Sequence, residues 1–477
     1  MAIQSLLDIG KSGILAQRLA LEVTSENITN VNTPGYSRQT TIFQTGIVTE
    51  ERGFPMGTGV KVAEIQRAYD DFLQTQLKTE GSTSGWSTTV LNAMRRAEQL
   101  FNEFTADGLG KSMQEFFSAW QDLTANPQGQ PERQAVLARA QQLVDQFHRI
   151  NSYLTDIKRE SNQSLEGITA DINNDLTRIA SLNDQIKMIE IRGARANELR
   201  DQRDLLVRQL SEKVGITYLE DSDGSINVSL TLGQPLVLGN KAAKLSLEAD
   251  AANNGFYKIM AASPGGNTSV DISTIAGGPG NTQGIMGGTL QVRDSLVNGF
   301  LSDLDELAST LATEVNSLHS AGFGLNSSTG LDFFTAPAAV AGYSGLGGID
   351  LAITKTADIA AADTDPATGG TGNNLNSRAI AGIYDKVLAT SGGNMTMEGF
   401  YNSLVGKVGV AVQDSERTST LSEGIMKQLE NLRESQSGVS LDEELANLIK
   451  YQKAYEGAAK LINVGTEMLD TVLGLIR

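Results

Sequence analysis

The sequence predicts a mainly α-helical protein with β structure inserted into it. In this architecture the N- and C-terminal helices pair as a coiled coil, a helical bundle forms a middle domain, and a small β-rich domain lies outside. Three observations favour it: apolar residues recur every seven positions near both chain ends, residues 132–234 and 367–477 contain no proline, and residues 215–288 and 321–376 are rich in Gly and small polar residues. Heptad spacing is typical of coiled coils, and long helices exclude interior proline.

The N-terminal helix is predicted from a narrow apolar stripe. Its members are spaced by seven and are Leu7, Ile14, Leu21 and Ile28. The helix should end between Asn30 and Thr33, because Pro34 disfavours the α conformation of the residue before it. Pro34-Gly35 then predicts a turn.

Residues 132–210 are predicted to form long helices. One apolar row recurs at seven, and a second row is interrupted by Asp175; the two rows are Leu165, Ile172, Ile179, Ile186 and Ile168, Leu182, Ile189. This pattern indicates a coiled-coil-like seam. We interpret the charged run 200–204 on the same pattern as a solvated, salt-bridged face.

A β-rich insertion is predicted from about residue 215 to 288. Short β-like runs cover 226–232 and 235–238, and Asp223-Gly224 is a strong hairpin-turn signal. Helical periodicity returns over 290–318, loops or further β structure follow over 321–376, and helices are expected at 377–389 and about 396–433.

The C-terminal helix has the clearest pattern, with two apolar rows spaced by seven over 441–475. The rows are Leu441, Leu448, Tyr455, Ile462, Leu469 and Leu445, Gln452, Ala459, Thr466, Leu473. Such a helix would be roughly 50 Å long. An apolar seam needs a covering partner, and the simplest partner for each terminal helix is the other one.

These elements suggest three domains. Residues 1–45 and 435–477 would form the terminal coiled coil. Residues 46–214, 289–325 and 370–434 would form the helical middle domain, and residues 215–288 with 326–369 the β-rich outer domain.

Composition excludes several classes of function. The net charge is −18 and no basic stripe is present, which argues against nucleic-acid binding. The absence of cysteine excludes disulfides and thiolate sites, and aromatic residues make up only 5%, so the cores should be aliphatic. The N-terminus has no basic region and Asp8 interrupts its apolar run, so no signal peptide is predicted. No apolar run reaches about 18 residues, so no membrane span is predicted.

No motif predicts catalysis, a cofactor or a metal. Gly-Lys-Ser occurs at 10–12 and 110–112 without the phosphate-binding loop before it. The run 221–225 begins like a calcium loop but lacks the later glycine and glutamate, and an acidic hairpin turn explains it better. His148 and His319 are the chain's histidines, each in a predicted helix without a neighbouring metal ligand. Adjacent carboxylates such as Glu443-Glu444 point to different helix faces, unlike a glycosidase pair.

Two segments at opposite ends of the chain carry a family resemblance. Residues 25–39, Ser-Glu-Asn-Ile-Thr-Asn-Val-Asn-Thr-Pro-Gly-Tyr-Ser-Arg-Gln, resemble the N-terminal signature of the flagellar axial proteins, which comprise rod, hook and hook-associated proteins. Residues 437–456, from Ser-Gly-Val-Ser-Leu-Asp-Glu-Glu to Lys-Ala-Tyr-Glu, resemble their C-terminal signature. Segments 116–137, 199–205 and 316–334 resemble the first hook-associated proteins more than the hook proteins. The resemblance covers about 1–240, 285–335 and 370–477, and the chain is short for the family.

The resemblance implies a structural subunit, not an enzyme, that forms the junction between hook and filament and allows filament assembly. It implies export through the flagellar type III channel without a cleaved signal, and an extracellular location in the flagellum. The implied partners are other copies in a ring, the hook protein, the second junction protein next to the filament, and an export chaperone at the C-terminal helix. Because the terminal stripes would lack partners in a monomer, we expect them to fray until assembly.

The resemblance also implies three groups of assembly residues. The N-terminal motif is Asn27, Asn30, Asn32, Thr33, Pro34, Gly35 and Tyr36. The C-terminal motif is Gly438, Val439, Glu443, Glu444, Asn447, Tyr451 and Gln452. The terminal-helix packing residues are Leu7, Ile14, Leu21, Ile28, Leu441, Leu445, Leu448, Tyr455, Ile462 and Leu469.

Two alternatives stay open. The chain could be another axial protein, such as the hook protein or the second junction protein. A hydrolase could also be inserted in the variable region, in which case carboxylates should converge in a pocket within 215–376.

Overall fold

The two ends of the chain form one antiparallel helix pair. We describe the fold from a computed structural model, which covers residues 2–51, 54–101, 108–231, 233–266, 268–274, 283–335 and 349–475. Helix α1 (Ala2–Thr29) packs along the C-terminal helix, with Leu7 beside Gly465 and Asn27 bonded to Glu444. Both helices are therefore formed and paired within one chain, in contrast to the fraying expected, because each covers one seam of the other.

Strands follow α1 directly. They are β1 (Gln39–Thr45), β2 (Val48–Glu51), β3 (Phe54–Gly57) and β4 (Val60–Arg67). β1 pairs with β4 and β2 with β3, both antiparallel, and a register shift interrupts β1 between Ile42 and Phe43. Most of the described residues between 46 and 67, which the sequence pattern assigned to the helical domain, therefore lie in strands. Val60 and Val62 alternate with Lys61 as in a strand, but Ile65 breaks the two-residue period, so this stretch is too short a signal to separate a strand from a helix.

The body of the molecule is helical. Its helices are α2 (Asp71–Leu100), α3 (Leu109–Ala125), α4 (Gln130–Glu190), α5 (Asn197–Lys213), α6 (Gly284–Gln291), α7 (Val297–His319), α8 (Pro366–Gly369), α9 (Leu375–Ala381) and α10 (Met397–Ser437), and the C-terminal helix is α11 (Leu441–Leu475). A π-helical turn, Val292–Leu296, joins α6 to α7, and Thr356–Asp358 and Ala251–Asn253 are 3-10 turns. The Asp70 and Thr396 side chains cap α2 and α10, as their types favour.

The inserted β structure forms small antiparallel sheets. One has the order β5 (Ile216–Glu220), β6 (Ile226–Leu230), β7 (Pro235–Leu238), β8 (Lys241–Ala242), and a second has β9 (Leu245–Ala249), β10 (Tyr257–Ala262), β11 (Ser269–Asp271) with β10 central. Gly224 (φ +81°) closes the β5–β6 hairpin, which confirms the turn predicted at Asp223-Gly224. Residues 275–282 and 336–348 of the predicted outer domain lie outside the described residues.

Two further hairpins are minor. β12 (Phe334–Thr335) pairs with β13 (Asp350–Leu351), and β14 (Leu388–Thr390) with β15 (Gly393–Met395). The helix expected over 377–389 therefore ends early, at Ala381, where Gly382 follows. Gly393 (φ +111°) then begins β15 in a conformation that disfavours other residues.

The 61-residue helix α4 contributes to two hydrophobic cores, one at its N-terminal half and one at its C-terminal half. The second core is aliphatic and joins the C-terminal half of α4 to α5, α6 and the sheets. The first core is aromatic at its centre, contrary to the expectation from composition. There Phe333 and Phe334 pack edge to face with ring centroids 4.8 Å apart. Trp120 packs on Phe333 and Phe116 on Phe334 at tilted angles. A low average aromatic content does not prevent one core from collecting those residues.

Candidate functional site

Asn27 is the centre of the junction between the chain ends. It is 1% exposed and lies in the last turns of α1. Its amide nitrogen donates to Glu444 Oε2 (3.1 Å) and to the Gln39 carbonyl (2.8 Å). Its oxygen accepts from the Tyr36 hydroxyl (2.8 Å) and the Gln39 backbone N–H (3.0 Å). Asn27 thus connects α1, the turn, β1 and α11 with its hydrogen-bonding capacity filled.

The Pro34-Gly35 turn brings Tyr36 back to Asn27. The Tyr36 N–H donates to the Thr33 carbonyl, and Gly35 has φ +84°, where a side chain would be strained. A Cβ on Gly35 would also lie 3.1 Å from Leu205 of α5. Burial raises the pKa of Tyr36 far above its usual range, so the hydroxyl remains a donor. Asn32, Thr33 and Pro34 are exposed and Asn30 is half-buried, so these shape the turn and do not fill the junction.

In the charged run 200–204 on α5, Arg200, Asp201 and Arg203 are buried and Asp204 is half-buried, which corrects the interpretation of this run as a solvated face. Arg67 Nη1 donates to Asp201 Oδ1 (2.8 Å) and Asp204 Oδ2 (2.7 Å), and the Ser37 N–H donates to Asp201 Oδ2 (2.8 Å). Burial raises the pKa of Asp201, and the Arg67 charge opposes that rise. The run forms salt bridges as predicted, but its partners are in the protein interior. Through Asp201 it connects α5 to Ser37, after the N-terminal motif, and to Arg67 of β4.

A second buried pair stands at the other side of the run. Arg200 donates to both Glu190 oxygens at 2.7 and 2.8 Å, and to Glu220 at 2.6 Å. These hydrogen bonds from Arg200 lower the pKa of Glu190. Asp175, the polar break in the apolar row of α4, is likewise buried and bound by Lys213 Nζ at 2.7 Å. Heptad spacing alone could not reveal such pairs, since it carries no information on the facing residue.

The C-terminal motif completes the junction. Glu444 is 2% exposed and faces Asn27, while Glu443 is exposed and bound by Arg38 Nη1 at 2.5 Å. The Arg38 N–H donates to the Ser437 carbonyl (2.8 Å), and Arg433 donates to the Tyr36 carbonyl (3.1 Å). Of the other motif residues, Gly438, Val439, Asn447 and Tyr451 are half-buried and Gln452 is exposed.

The face of α1 against α11 consists of small residues, a stripe that the heptad analysis missed. Gly10, Ala16 and Ala20 are buried, and the position of a Cβ on Gly10 would lie 2.8 Å from Ile462. The predicted stripe residues Leu7, Ile14, Leu21 and Ile28 are only half-buried, at its flanks. The three- and four-residue spacing of Gly10, Gly13, Ala16 and Ala20 was the available signal, because small side chains let two helices approach closely.

Helix α11 carries two apolar seams. The seam against α1 is marked by contacts of Glu444, Ala458, Ile462 and Gly465 with that helix. Leu448, Tyr451 and Tyr455 are half-buried at the intervening positions of the same helix face. The other seam contains Ala454, Gly457, Leu461, Val464, Met468 and Val472, and its four large residues are 42–50% exposed. The predicted packing residues divide accordingly: Leu448, Tyr455 and Ile462 are half-buried, whereas Leu441, Leu445 and Leu469 are exposed.

The side chains that could take part in catalysis or metal binding have structural roles instead. His319 is buried and donates from Nδ1 to the Leu331 carbonyl (2.7 Å), and its Nε2 accepts from the Ala360 N–H (3.0 Å). Burial lowers the pKa of His319. Within the described ranges, no three His, Cys, Asp or Glu side chains are grouped as a metal site would need. No described helix has the length and apolar character needed to cross a bilayer.

One open cleft of about 570 Å³ lies between α2 and the edge strand β5. Its carboxylates are Asp71 and Glu220, and of these only Glu220 comes from the inserted region. Asp71 already accepts a hydrogen bond from the Tyr218 hydroxyl at 2.9 Å. This cleft therefore gives no support to a hydrolase built from carboxylates of residues 215–376.

Comparison with known proteins places the chain in a family. Residues 94–334 match the model of the flagellar hook-associated protein FlgK helical domain, residues 433–475 that of the flagellar basal body rod FlgEFG protein C-terminal region, and residues 7–36 that of the flagella basal body rod protein. Flagellar hook-associated protein 1 of Salmonella typhimurium is 30% identical over 99% of this chain and 100% of its own length. The Bacillus subtilis protein of the same name is 28% identical over 98% and 97%.

A solved structure shares the fold. The flagellar hook junction protein FlgK from Burkholderia pseudomallei superimposes with a TM-score of 0.67 at 17% sequence identity, covering 76% of this chain and 100% of that chain. The mainly helical fold with inserted β structure is thereby confirmed. From the family-model match over half the sequence and the full-length similarity, this chain belongs to the flagellar hook-associated protein 1 (FlgK) family.

Proposed function

We propose that this chain is a structural subunit of the bacterial flagellum that forms the junction between hook and filament and allows the filament to assemble, without catalysis. The observation that carries the proposal is the second apolar seam of α11, Leu461 to Val472, which α1 leaves uncovered. Exposed contiguous apolar surface marks an interaction site, and heptad spacing suits a helical partner. The names of the full-length relatives identify the assembly.

The resemblance to the flagellar axial proteins supplies the proposed partners, and the uncovered seam of α11 is the surface that they would cover. Copies of this chain would cover the seam in a ring within a helical assembly, with the hook protein on one side and the second junction protein on the other. Before assembly, an export chaperone would cover α11. The protein would act outside the cell, after export by the flagellar type III apparatus without a cleaved signal peptide.

The three-domain division is part of the proposal. The terminal pair with its strands would form the inner unit, the bundle around α4 the middle unit, and the β sheets the outer surface. Asn27, Tyr36 and Glu444 would set the angle at which the terminal pair leaves the body, since they join α1, the turn and α11. The hook protein or the second junction protein is the alternative, and the match of residues 94–334 to the FlgK helical domain favours the first hook-associated protein.

A deletion strain complemented with variants tests the proposal. Leu461→Glu with Met468→Glu places two charges on the exposed seam, and Asn463→Glu with Thr471→Glu places the same charges on exposed polar positions of the same helix. We expect hooks without filaments, and flagellin lost to the medium, for the first variant and normal filaments for the second. Circular dichroism of both purified proteins should be unchanged. Normal filaments with the seam variant, or in the deletion strain itself, would contradict the proposal.

A further inference from the structure

Strand β5 forms a free edge of the four-stranded sheet. The strand order places it at one end of the sheet, with β6 as its paired neighbour. The backbone bonds that flank the strand join positions 215 and 231, and positions 221 and 225. Because the bonded side alternates along an antiparallel strand, positions 217 and 219 also face β6. The N–H and C=O groups that point away from the sheet therefore belong to Ile216, Tyr218 and Glu220.

These outward backbone groups have no hydrogen-bond partner among the described residues. Elsewhere α4 supplies side-chain amides to strand backbone. Asn173 donates to the Leu245 carbonyl and accepts from its N–H, both at 2.8 Å, and Asn183 bonds Ile226 in the same way. Natural edge strands are covered, kept short, or protected by proline or lysine. Strand β5 has five residues and contains neither proline nor lysine, so its edge is open to pairing.

A groove of about 570 Å³ runs along this edge. All five residues of β5 form one wall, and α2 forms the other with the exposed side chains of Asp71, Thr75 and Thr79. The Tyr218 side chain joins the two walls, since its hydroxyl donates to Asp71 Oδ1 at 2.9 Å and lies 3.2 Å from Thr75 Oγ1. Neighbouring strands of a sheet lie about 4.8 Å apart, so a strand added to β5 would occupy this groove.

The exposed charge of the groove is negative. Its carboxylates are Asp71 and Glu220, both exposed. The cation among its lining residues, Lys78, is buried, with Nζ 3.5 Å from the centroid of the Tyr218 ring. The chain as a whole has a net charge of −18. These charges favour a basic occupant and repel an acidic one.

We propose that the groove between α2 and β5 binds an extended basic peptide segment of another protein, which adds a strand to the sheet. The peptide backbone would pair with the outward groups of β5. Its side chains alternate in direction, so basic residues would face α2 and its carboxylates, and β-branched residues would lie beside the exposed side chains of Thr217 and Leu219. This surface belongs to the inserted β structure and does not include the exposed seam of α11.

Fluorescence anisotropy of a labelled synthetic peptide, Thr-Lys-Val-Lys-Val-Lys-Thr, with the full-length protein tests the binding. We expect saturable binding, and affinity at least about tenfold weaker when glutamate replaces each lysine of the peptide. Thr79→Lys places a cation in the groove and should weaken binding by a similar factor. Thr88→Lys makes the same change at an exposed position of α2 that does not line the groove, and it should leave the affinity unchanged.

Hydrogen exchange distinguishes an added strand from a peptide held by charge alone. In the wild-type protein, the peptide should slow exchange of the amide N–H groups of Ile216, Tyr218 and Glu220. Those of Thr217 and Leu219 are already bonded to β6 and should change little. The measurement needs single-residue resolution from fragmentation in the mass spectrometer, and it does not depend on how any variant folds.

Three results would overturn the proposal. One is no saturable binding by the wild-type protein up to about 1 mM peptide. Another is binding that leaves the exchange of the three outward amides unchanged. The third is self-association of the wild-type protein without peptide that Thr79→Lys abolishes and Thr88→Lys keeps, which would assign the edge of β5 to a second copy of this chain. Sedimentation velocity measures that self-association.

Discussion

The amide of Asn27 donates a hydrogen bond to the carboxylate of Glu444, 3.1 Å away, where α1 ends and α11 begins. Both side chains are almost fully buried, and the two residues are 417 positions apart in the chain. A buried carboxylate is stable only when donors face it, so the start of α11 depends on a residue of α1. Asn27 also accepts a hydrogen bond from Tyr36, which follows the Pro34-Gly35 turn. The orientation of the α1–α11 pair is therefore coupled to this turn through Asn27.

Asn27→Asp tests the contribution of the Asn27–Glu444 hydrogen bond, because the substitution hardly changes the volume of the side chain. The substitution removes the donors to Glu444 and Gln39 and places a second carboxylate beside the first. We expect a loss of about 2–4 kcal/mol in the free energy of unfolding, measured in urea, and few or no filaments. Asn32→Asp, with the same charge change at an exposed position, should lose less than about 0.5 kcal/mol. Equal losses of unfolding free energy in the two variants would show that the hydrogen bonds of Asn27 do not stabilise the junction between α1 and α11.

Arg67 neutralises two buried carboxylates, so its removal should cost more than the loss of one ion pair. Arg67→Met leaves Asp201 and Asp204 without their shared partner, and we expect a loss of about 3–5 kcal/mol in urea unfolding. Adding Asp201→Asn should recover part of it in a double-mutant cycle. Arg95→Met, which breaks a surface pair with Glu416, should cost under about 1 kcal/mol. A similar cost for both arginines would contradict the burial argument.

Sequence patterns predicted the elements of this fold better than their contacts. The bounds of α11 followed from its heptad spacing, and the turn at Pro34-Gly35 followed from the conformational preferences of proline and glycine. Both signals lie within the segment that they predict. The burial of Arg200, Asp201 and Arg203 did not follow, because a charged run is solvated or paired according to what faces it. The family motifs placed Asn27 and Glu444 in the assembly region, but only the fold shows that they are bonded.

The stripe on α1 shows a second limit. Large apolar residues such as Ile14 and Leu21 dominate a hydrophobic pattern. At Gly10 and Gly13, however, α11 lies so close that an added Cβ would stand 2.8 Å from Ile462 or 3.2 Å from Ala458, respectively. Small residues contribute little to hydrophobic periodicity and much to the distance between helices. A search for small residues at three- and four-residue spacing would have found this face.

The Glu190–Arg200 pair should make stability fall in acid. Hydrogen bonds from Arg200 lower the pKa of Glu190 below its ordinary value. The pair therefore contributes its full stabilisation above that ordinary value, and the contribution is lost as pH falls through the folded pKa. Glu190→Gln should reduce the free energy of unfolding by about 1–3 kcal/mol at neutral pH, with the difference from wild type shrinking in acid. Glu160→Gln, which alters an exposed pair with Arg96, is the control and should show little pH-dependent difference. A constant deficit of Glu190→Gln across pH would contradict the assignment.

Lys78 of α2 is 4% exposed, and its Nζ lies 3.5 Å from the centroid of the Tyr218 ring. Lys78→Met should stabilise the protein at neutral pH. The pKa of Lys78 is lowered to about 8, so the unfolded chain binds its proton more tightly, and wild-type stability rises as pH increases from about 8 towards 10.5. Methionine removes the buried cation, and we expect a gain of about 1–2 kcal/mol at pH 7 after the lost contact with Tyr218 is subtracted. The gain should disappear by about pH 10. Urea unfolding at both pH values measures it, and a loss at pH 7 would show that the ring contact outweighs burial.

Two glycines in the terminal helices should respond oppositely to the same substitution. Alanine favours a helix over glycine by about 1 kcal/mol, so Gly457→Ala, where no atom lies within 4 Å of the added Cβ, should raise the stability of the helix pair by up to that amount. Gly10→Ala makes the same gain in propensity but places its Cβ 2.8 Å from Ile462 Cγ1 and 3.4 Å from the Ala458 carbonyl oxygen. The helices must separate or Ile462 must shift, and overpacking of this kind costs about 1–3 kcal/mol, so the net effect should be destabilising. Thermal unfolding followed by circular dichroism compares the two directly. Stabilisation by Gly10→Ala equal to that of Gly457→Ala would mean that the small-residue face does not set the distance between α1 and α11.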